Sequence, residues 1–399
     1  MLRILKSWKT YLNKERDRYT DEYISDCVDA DIAVVIPCYD EPDIQITIDS
    51  LRNKAKSLSG LGVLVIVVVN SGENSKEQVV AQNRATYKML KEYCESYSCD
   101  NFNLATVICE DLPRKHAGVG LARRIGMNIA VEYFLSNANE KGIIVSLDAD
   151  CKVSDNFFTS MLSAYKSDSK LICTIQNVKH RIESYDARLN SAIRQYETYL
   201  SYFSNSLRDA GFPYYLPTVG SAFSVTADAY VKVGGMGRQQ GGEDFYFLQK
   251  IFQLGKAIYL DNTYVYPLAR FSDRVPFGTG PTLHKIISST DGVLRVYSPE
   301  AFDVLKTFFD IKGSLYKCED NEMDDAISSL PMPMKDFLTT IDFKDKIVDC
   351  NQNCANIDSF TKRFFHHFNA FQIIKFLNFV HPKYFELVDI DTLSNKSYL

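Results

Sequence analysis

The stretch Gly142-Ile143-Ile144-Val145-Ser146-Leu147-Asp148-Ala149-Asp150 joins an apolar run to two carboxylates on alternate residues. The apolar run predicts a buried strand, and carboxylates just past such a strand can hold a hard divalent cation against the phosphates of a nucleotide. The spacing alone proves little, because Asp29-x-Asp31 and Asp389-x-Asp391 repeat it in a different context. The interpretation of Asp148 and Asp150 therefore depends on the sequence around them.

Predicted strands and helices alternate through the first two-thirds of the chain. Apolar runs predict strands at residues 32–37, 63–69, 104–109, 143–147 and 171–175. The amphipathic segments between them predict helices, and this alternation indicates an α/β domain with a doubly wound, mostly parallel sheet flanked by helices. Ligands bind such sheets at the carboxyl ends of the strands. We therefore expect residues 37–41, 70–73 and 148–150 to share one rim.

The whole chain is expected to contain an N-terminal helix within residues 1–30, the α/β domain over 31–290 and a helical extension over 291–399. Leu5, Trp8 and Leu12 fall on one side of the first helix. That helix either packs on the domain or contacts a membrane surface. Near the end, a stripe of phenylalanines predicts one long helix over residues 359–379 with those side chains in the core.

Composition restricts the class of protein. With 46% hydrophobic and 24% charged residues, the 399-residue chain is typical of a soluble globular protein. A net charge of −5 gives no sign of a nucleic-acid surface, so no nucleic-acid partner is expected. Ten cysteines without a CxxC pair indicate reduced thiols and a cytoplasmic protein. No apolar run reaches the ~20 residues of a membrane-spanning helix, and residues 1–13 lack the apolar core of a signal peptide.

Basic side chains gather where the helix before the Asp148 strand begins. Gly118-x-Gly120 opens that helix, and Arg114, Lys115, Arg123 and Arg124 lie around its start. Cations beside a helix N-terminus suit a diphosphate, although such residues are also common on a solvated surface. The third glycine comes too late for the dinucleotide fingerprint, and the absence of GxxxxGK[S/T] excludes a P-loop.

A second pair of carboxylates opens a later helix. Glu243 and Asp244 follow Gly241-Gly242 and precede an amphipathic stretch. Acidic residues in a first helical turn stabilise the helix dipole by about 0.3–1 kcal/mol each. The same position also suits a general base, because the helix is rigid and the glycines leave room for an acceptor. Both interpretations stay open from these residues alone.

The order of these motifs resembles that of the family 2 glycosyltransferases of GT-A fold, from about residue 32 to residue 254. The segments that carry the resemblance are residues 34–41 (VVIPCYDE), 67–72 (VVVNSG), 120–124 (GLARR), 147–150 (LDAD), and 234–236 with 243–244 (GGM and ED). The resemblance implies a Rossmann-like GT-A domain, followed here by the helical extension. It also implies inverting transfer of a sugar from a nucleoside-diphosphate sugar to an acceptor hydroxyl.

The resemblance implies a role for each matching residue. Asp150 would bind Mn²⁺ or Mg²⁺ at the donor diphosphate, and Asp148 would hold the ribose or assist the metal. Asp244 would accept the proton of the acceptor hydroxyl, and Glu243 would orient the acceptor or the base. The residues that would line the nucleotide-sugar site are Pro37, Tyr39, Glu41, Asn70 and, beside the diphosphate, Arg123.

Two departures from the family pattern affect the donor site. The paired aspartates that follow the second strand in the family are Asn70-Ser71 here, so the usual carboxylate that recognises the base is missing. A UDP-linked and a GDP-linked donor therefore both stay open. The asparagine of the first turn is Asp40, which adds a negative charge near the donor.

Two further candidates lie beyond the segments that resemble the family. Residues 270–280 form a basic loop with glycine hinges. This loop either closes over the diphosphate, with Arg274 as a nucleotide-sugar contact, or is purely structural. His284 either completes the metal site or simply packs. Cys350 and Cys354, followed by two adjacent histidines, are poorly spaced for a zinc finger.

Three functions are compatible with the sequence. The first is a cytoplasmic glycosyltransferase of surface or secreted glycan synthesis, with a glycan or lipid-linked glycan as acceptor. The second, a sugar nucleotidyltransferase of the same fold, is disfavoured because the first strand lacks a Gly-rich, basic triphosphate loop. The third, a non-catalytic nucleotide-sugar-binding protein, is permitted by Asn70-Ser71 but disfavoured by the intact carboxylates. Peripheral membrane contact and a homo-oligomer also stay open.

Overall fold

The chain divides into two structural units. The computed structural model describes residues 2–15, 29–56, 58, 60–97, 101–183, 186–271 and 278–393. Unit 1 consists of Met1–Tyr185 and Thr218–Pro281, and unit 2 consists of Asp186–Pro217 and Thr282–Leu399. Arg274, the expected nucleotide-sugar contact, lies outside the described residues.

Strands and helices alternate in the first part of the chain, as the sequence predicts. In chain order, the elements up to the end of the main sheet are α1 (Leu2–Lys14), β1 (Ile32–Cys38), α2 (Ile44–Ala55), β2 (Val63–Gly72), α3 (Glu77–Tyr97), β3 (Phe102–Leu112), α4 (Val119–Ser136), β4 (Ile143–Ser146), β5 (Lys152–Val153), α5 (Phe157–Ser167), β6 (Leu171–Val178), α6 (Ala187–Asp209), β7 (Phe223–Thr226), α7 (Ala227–Lys232), α8 (Glu243–Leu254) and β8 (Lys256–Tyr266).

Helices dominate the remainder. The elements there are α9 (Thr279–Ser288), β9 (Arg295–Val296), α10 (Pro299–Asp310), a 3₁₀ turn (Ile311–Gly313), α11 (Asp320–Ser328), α12 (Met332–Thr339), α13 (Phe343–Asn353), α14 (Ile357–His367), α15 (Ala370–Val380), β10 (Val388–Asp389) and α16 (Ile390–Leu393). None of the helices that the structure describes combines the length and the apolar character needed to cross a bilayer.

The sheet of unit 1 has eight strands in the order β3-β2-β1-β4-β7-β6-β8-β5. The strands β3, β2, β1 and β4 run parallel, whereas β7 is antiparallel to both of its neighbours. The pair β6 and β8 is parallel again, and the short β5 closes the edge antiparallel to β8. The chain leaves β1 towards β2 and later returns to its other side as β4. This reversal of strand order is where α/β sheets open a crevice for ligands.

Both faces of the parallel strands are covered, because β1 and β2 are apolar at almost every position. On one face, alternate residues of β1, β2 and β4 form a core with α2 and α5. On the other face, α4 approaches so closely that a Cβ on Gly126 would lie 2.4 Å from Val35 Cγ1. The mixed α/β sheet flanked by helices confirms the predicted fold class.

The first helix packs within unit 1. Trp8, the single tryptophan, is fully buried, and its indole nitrogen donates to Asp228 Oδ1 over 3.4 Å. Tyr11 donates its hydroxyl to Asn128 Oδ1 of α4 over 2.9 Å. Of the two alternatives for this helix, the structure therefore shows the packed one.

Unit 2 has an aromatic core. The rings of Phe308 and Phe368 have centroids 4.7 Å apart, and Phe364 is equally buried. The prediction of one helix over residues 359–379 is wrong, because α14 ends at His367 and α15 begins at Ala370. Asn369 caps α15 by accepting hydrogen bonds from two backbone amides at its start. Phe371, expected in the core, is exposed on α15.

Candidate active site

The carboxyl ends of β1, β2 and β4 lie side by side. Cys38 pairs with Val69, and Val35 pairs with Ser146, so the residues that follow these strands leave the sheet at one edge. The expected rim of residues 37–41, 70–73 and 148–150 is therefore formed. The other two Asp-x-Asp sequences lie elsewhere: the first precedes β1, at the opposite edge, and the second joins β10 to α16 in unit 2.

The turn that carries Asp148 and Asp150 is held by its backbone. The buried Thr47 hydroxyl donates to the Ala149 carbonyl over 2.7 Å. Arg181 donates from Nη2 to the Asp150 carbonyl over 3.1 Å, and the Cys151 amide donates to the Asp148 carbonyl over 3.3 Å. Because neighbouring elements occupy the carbonyls of this turn, the two carboxylates are presented on a rigid support.

Carboxylates crowd around Asp150. The pKa of Asp150 is raised to about 6, mainly by burial and also by the charges of Asp148 and Glu41, while Arg270 acts in the opposite direction. Such a concentration of oxygen ligands and negative charge is the environment that Mg²⁺ and Mn²⁺ prefer. Asp148 and Asp150 therefore fit a divalent cation, with Glu41 close enough to contribute charge.

Arg123 connects the rim formed by residues 37–41, 70–73 and 148–150 to α8. Its guanidinium is 4% exposed, with Nη2 2.5 Å from Asp148 Oδ1, and its Nη1 makes a short hydrogen bond to Glu243. A Cβ on Gly220 would lie 2.6 Å from Arg123 Nη1, so a larger residue there would displace the guanidinium. The sequence predicts that Arg123 steadies the diphosphate. The structure shows it engaged with two carboxylates, and its contact with a phosphate stays a prediction.

The start of α8 places Asp244 near Asp148. Gly242 has a φ of 72°, the left-handed conformation that glycine adopts readily, and Glu243 behind it is 1% exposed. The Asp244 carboxylate is half-buried and accepts a hydrogen bond from the Phe245 amide over 2.8 Å. The pKa of Asp244 is raised to about 6, mainly by burial and also by the charge of Glu243, while Arg123 acts in the opposite direction. A carboxylate with this pKa suits a general base near neutral pH.

The turns after β1 and β2 enclose a buried hydrogen-bond acceptor. Asn70 is 4% exposed, and its Oδ1 has no hydrogen-bond partner among the described residues. Asn83 of α3 bridges the two turns, since it accepts from the Asp40 amide and donates to the Asn70 carbonyl, each over 2.9 Å. Pro37 is buried and Tyr39 is half-buried beside them. A buried oxygen without a partner suits an N–H group of a nucleobase.

Four residues of the site were not assigned roles from the sequence. Thr47, Asn83 and Arg181 hold the turns, and nothing in their local sequence marks them. Arg270 lies in the basic loop that the sequence singled out, but its partners could not be inferred. It donates from Nη1 to Glu41 Oε2 over 3.0 Å, and its Nη2 is 3.1 Å from Asp150 Oδ2.

The remaining metal candidates lie in unit 2. His284 is exposed on α9, and its role as a metal ligand stays a prediction. Asp349, Cys350 and His367 have ligand atoms within 4.8 Å of one another. Arg363 and His367 lower the pKa of Asp349 to about 2, with the Arg363 nitrogens 2.7 and 2.9 Å from the carboxylate. The Arg363 guanidinium thus already neutralises this carboxylate.

Loss of Arg123 should destabilise unit 1. In Arg123→Met, Glu243 would stay buried without its partner. Removing one partner of a buried ion pair lowers the free energy of unfolding by about 3–5 kcal/mol. Unfolding in urea, followed by the fluorescence of Trp8, measures this loss. Arg84→Met is the matched control, because Arg84 forms an equivalent pair with Glu110 at the surface, where about 0–1 kcal/mol is expected. Similar losses in both variants would contradict the structural role of Arg123.

Comparisons with known proteins identify one family and several solved structures that this chain resembles. A model of glycosyl transferase family 2 matches residues 33–230. Among solved structures, S. aureus TarS 1-349 in complex with UDP-GlcNAc is 12% identical with a TM-score of 0.42, over 86% of this chain and 91% of that chain. Mannosyltransferase PcManGT from Pyrobaculum calidifontis, in complex with GDP-Man and Mn2+, is 13% identical with a TM-score of 0.38, over 95% and 94%. No curated protein matches the chain.

Proposed function

The chain belongs to glycosyl transferase family 2, and from this premise we propose that it is a metal-dependent, inverting enzyme that transfers a sugar from a nucleoside-diphosphate sugar to an acceptor hydroxyl. One observation carries the proposal. Arg123 contacts Asp148 and Glu243 simultaneously, which brings the carboxylates for the donor and the carboxylate for the acceptor into one site. A single displacement needs the donor and the acceptor in one site, and the shared contact of Asp148 and Glu243 with Arg123 supports that arrangement.

The donor would bind along the rim of β1, β2 and β4. Asp150, assisted by Asp148, would hold Mn²⁺ or Mg²⁺, and that cation would neutralise the charge on the departing nucleoside diphosphate. The base would lie against Tyr39 and Pro37, with Asn70 Oδ1 accepting from a base N–H. Uracil and guanine both offer such a donor, so a UDP-linked and a GDP-linked sugar both fit this side chain.

The acceptor would be activated from the opposite side. Asp244 would take the proton of the acceptor hydroxyl while the hydroxyl oxygen attacks the anomeric carbon. Glu243, fixed by Arg123, would keep Asp244 in place and raise its proton affinity through its own charge. Because one base and one displacement are involved, the configuration at the anomeric carbon would invert.

We extend the proposal to the acceptor, the product and the location of the reaction. The acceptor would be a glycan or a lipid-linked glycan, and the product would belong to a surface or secreted polysaccharide. Synthesis would occur in the cytoplasm, where nucleotide sugars and divalent cations are present. Peripheral membrane contact and self-association would suit a lipid-linked acceptor, and Arg274 and His284 would be further contacts to the donor and the cation.

Thermal stabilisation by nucleotides tests the donor assignment. UDP or GDP at 100 times its dissociation constant should add about 2.7 kcal/mol of stability in the presence of Mn²⁺. EDTA should remove this gain. The absence of stabilisation by both nucleotides, with and without metal, would contradict the proposed donor site.

The chemistry is tested by NMR of the product formed from the donor identified in this way. The new linkage should have the anomeric configuration opposite to that of the donor, and retention would contradict the single displacement. A parallel assay with a nucleoside triphosphate and a sugar 1-phosphate should give no nucleotide sugar. Turnover in that assay would instead identify a nucleotidyltransferase.

A further inference from the structure

Arg270 forms a bridge between two carboxylates of the donor rim. Its guanidinium makes a bidentate pair with Glu41, with Nη1 3.0 Å from Oε2 and a shorter contact from Nη2 to Oε1. The same Nη2 is 3.1 Å from Asp150 Oδ2. Arg270 therefore contacts the carboxylate that the family resemblance assigns to the metal.

The two arginines of the site differ in how firmly they are held. Arg123 is enclosed by protein, with Gly220 against its guanidinium. Arg270 is 31% exposed at its side chain, although Glu41 and Asp150 beneath it are largely buried. Among the described residues, Arg123 contacts Asp148 whereas Arg270 contacts Glu41 and Asp150, and Arg270 is the more accessible of the two arginines. Its Nη2 takes part in both contacts, whereas Nη1 pairs with Glu41 alone, so the pair with Glu41 would hold the guanidinium at the rim if the contact with Asp150 were lost.

A divalent cation held by Asp150 would compete with Arg270 for the same carboxylate, because Nη2 already contacts its Oδ2. The pair with Glu41 would keep the positive guanidinium close to that cation. The guanidinium and the cation are both positive, and like charges close together repel strongly in a partly buried site. Negative charge from a diphosphate would offset that repulsion.

We infer that Arg270 is a built-in counter-cation that competes with the divalent metal for Asp150 and weakens metal binding until a nucleoside diphosphate is present. This inference rests on the proposed metal-dependent function. In the metal-free protein Arg270 neutralises the carboxylates and keeps the site assembled. When the cation enters with the donor, Arg270 leaves Asp150 and keeps its pair with Glu41.

The test measures Mn²⁺ binding by the electron paramagnetic resonance signal of the free ion, without any activity assay. In the absence of nucleotide, Arg270→Gln should bind Mn²⁺ at least about tenfold more tightly than the wild type, because a positive charge beside the site is removed. Adding UDP or GDP should tighten Mn²⁺ binding in the wild type and have a smaller effect in the variant.

Two variants complete the design. Arg270→Lys keeps the charge without the bidentate fork, so its affinity should fall between those of the wild type and Arg270→Gln. Arg84→Gln breaks a similar arginine–glutamate pair with Glu110 and should leave Mn²⁺ affinity unchanged. Unfolding followed by Trp8 fluorescence confirms that each variant folds.

The outcomes separate this inference from the proposed function. Equal or weaker Mn²⁺ binding in Arg270→Gln, with binding intact in the wild type, would overturn the role of Arg270 and leave metal-dependent transfer in place. If no protein binds Mn²⁺ even with UDP or GDP, the metal dependence and the inference both fail. Tighter binding in Arg84→Gln would also overturn it, because the effect would then reflect net charge alone.

Discussion

Replacing Asp150 by asparagine should lower the rate of sugar transfer by at least about 10³-fold, because metal stabilisation of the leaving group is worth several kcal/mol and each 1.36 kcal/mol is a factor of ten. The amide is neutral and offers one weaker ligand oxygen, so Mn²⁺-dependent binding of UDP or GDP should disappear as well. Calorimetric titration of the nucleotide with and without Mn²⁺, together with a transfer assay, measures both effects.

The chain supplies a control for this substitution. Asp391 belongs to another Asp-x-Asp sequence, in unit 2, and its side chain is exposed. Asp391→Asn removes the same charge from the same local spacing and should change neither binding nor transfer. Full activity of Asp150→Asn would contradict the assignment of the metal to this turn.

Replacing Asp244 by asparagine should lower kcat by about 10²–10⁴-fold, the usual contribution of a general base. Donor binding should stay within experimental error of the wild type, because Asp244 is placed on the acceptor side. We would measure kcat and, separately, the dissociation constant of the donor nucleotide in the presence of Mn²⁺. The prediction is that kcat falls and the dissociation constant does not change. A variant that transfers sugar at the wild-type rate would show that another group accepts the proton.

The pH dependence gives an independent measure of the base. Because burial and Glu243 raise the pKa of Asp244 to about 6, the carboxylate is protonated and inactive below that pH. At saturating Mn²⁺, which keeps Asp150 ionised, kcat/KM should therefore rise with pH and level off above about 6. Asp358→Asn, which removes an exposed acidic residue from the first turn of α14, controls for loss of charge at a helix start. That variant should keep the wild-type profile.

Apolar runs predicted the strands around the site well, because a continuous apolar run is a local property that strands buried on both faces require. The strands β1, β2, β3 and β4 follow their predicted bounds closely, and helices lie between them as predicted. The prediction of one helix over residues 359–379 was wrong, because a helix cap interrupts the apolar pattern there. The phenylalanine stripe continues across residue 368, but Asn369 is a strong helix cap and begins a new helix there.

The sequence could not predict the antiparallel part of the sheet. The strand β7 lies between β4 and β6, and the two-residue β5 lies at the edge. Both positions depend on contacts between residues that are far apart in the sequence. Short strands have too few residues to show a period. The sequence did establish that polar residues end three neighbouring strands, and this was sufficient to place the rim.

The identity of the carboxylates was thus determined by the sequence, through an apolar strand that must be buried and two aspartates that follow it. Their partners were decided only by the tertiary structure. Arg123 meets Glu243 across 120 residues, and Arg270 meets Glu41 across 229 residues. Ion pairs at such separations leave no local pattern, because folding alone brings the charges together. The sequence therefore predicted which groups would do the chemistry, and the structure showed which charged side chains contact them.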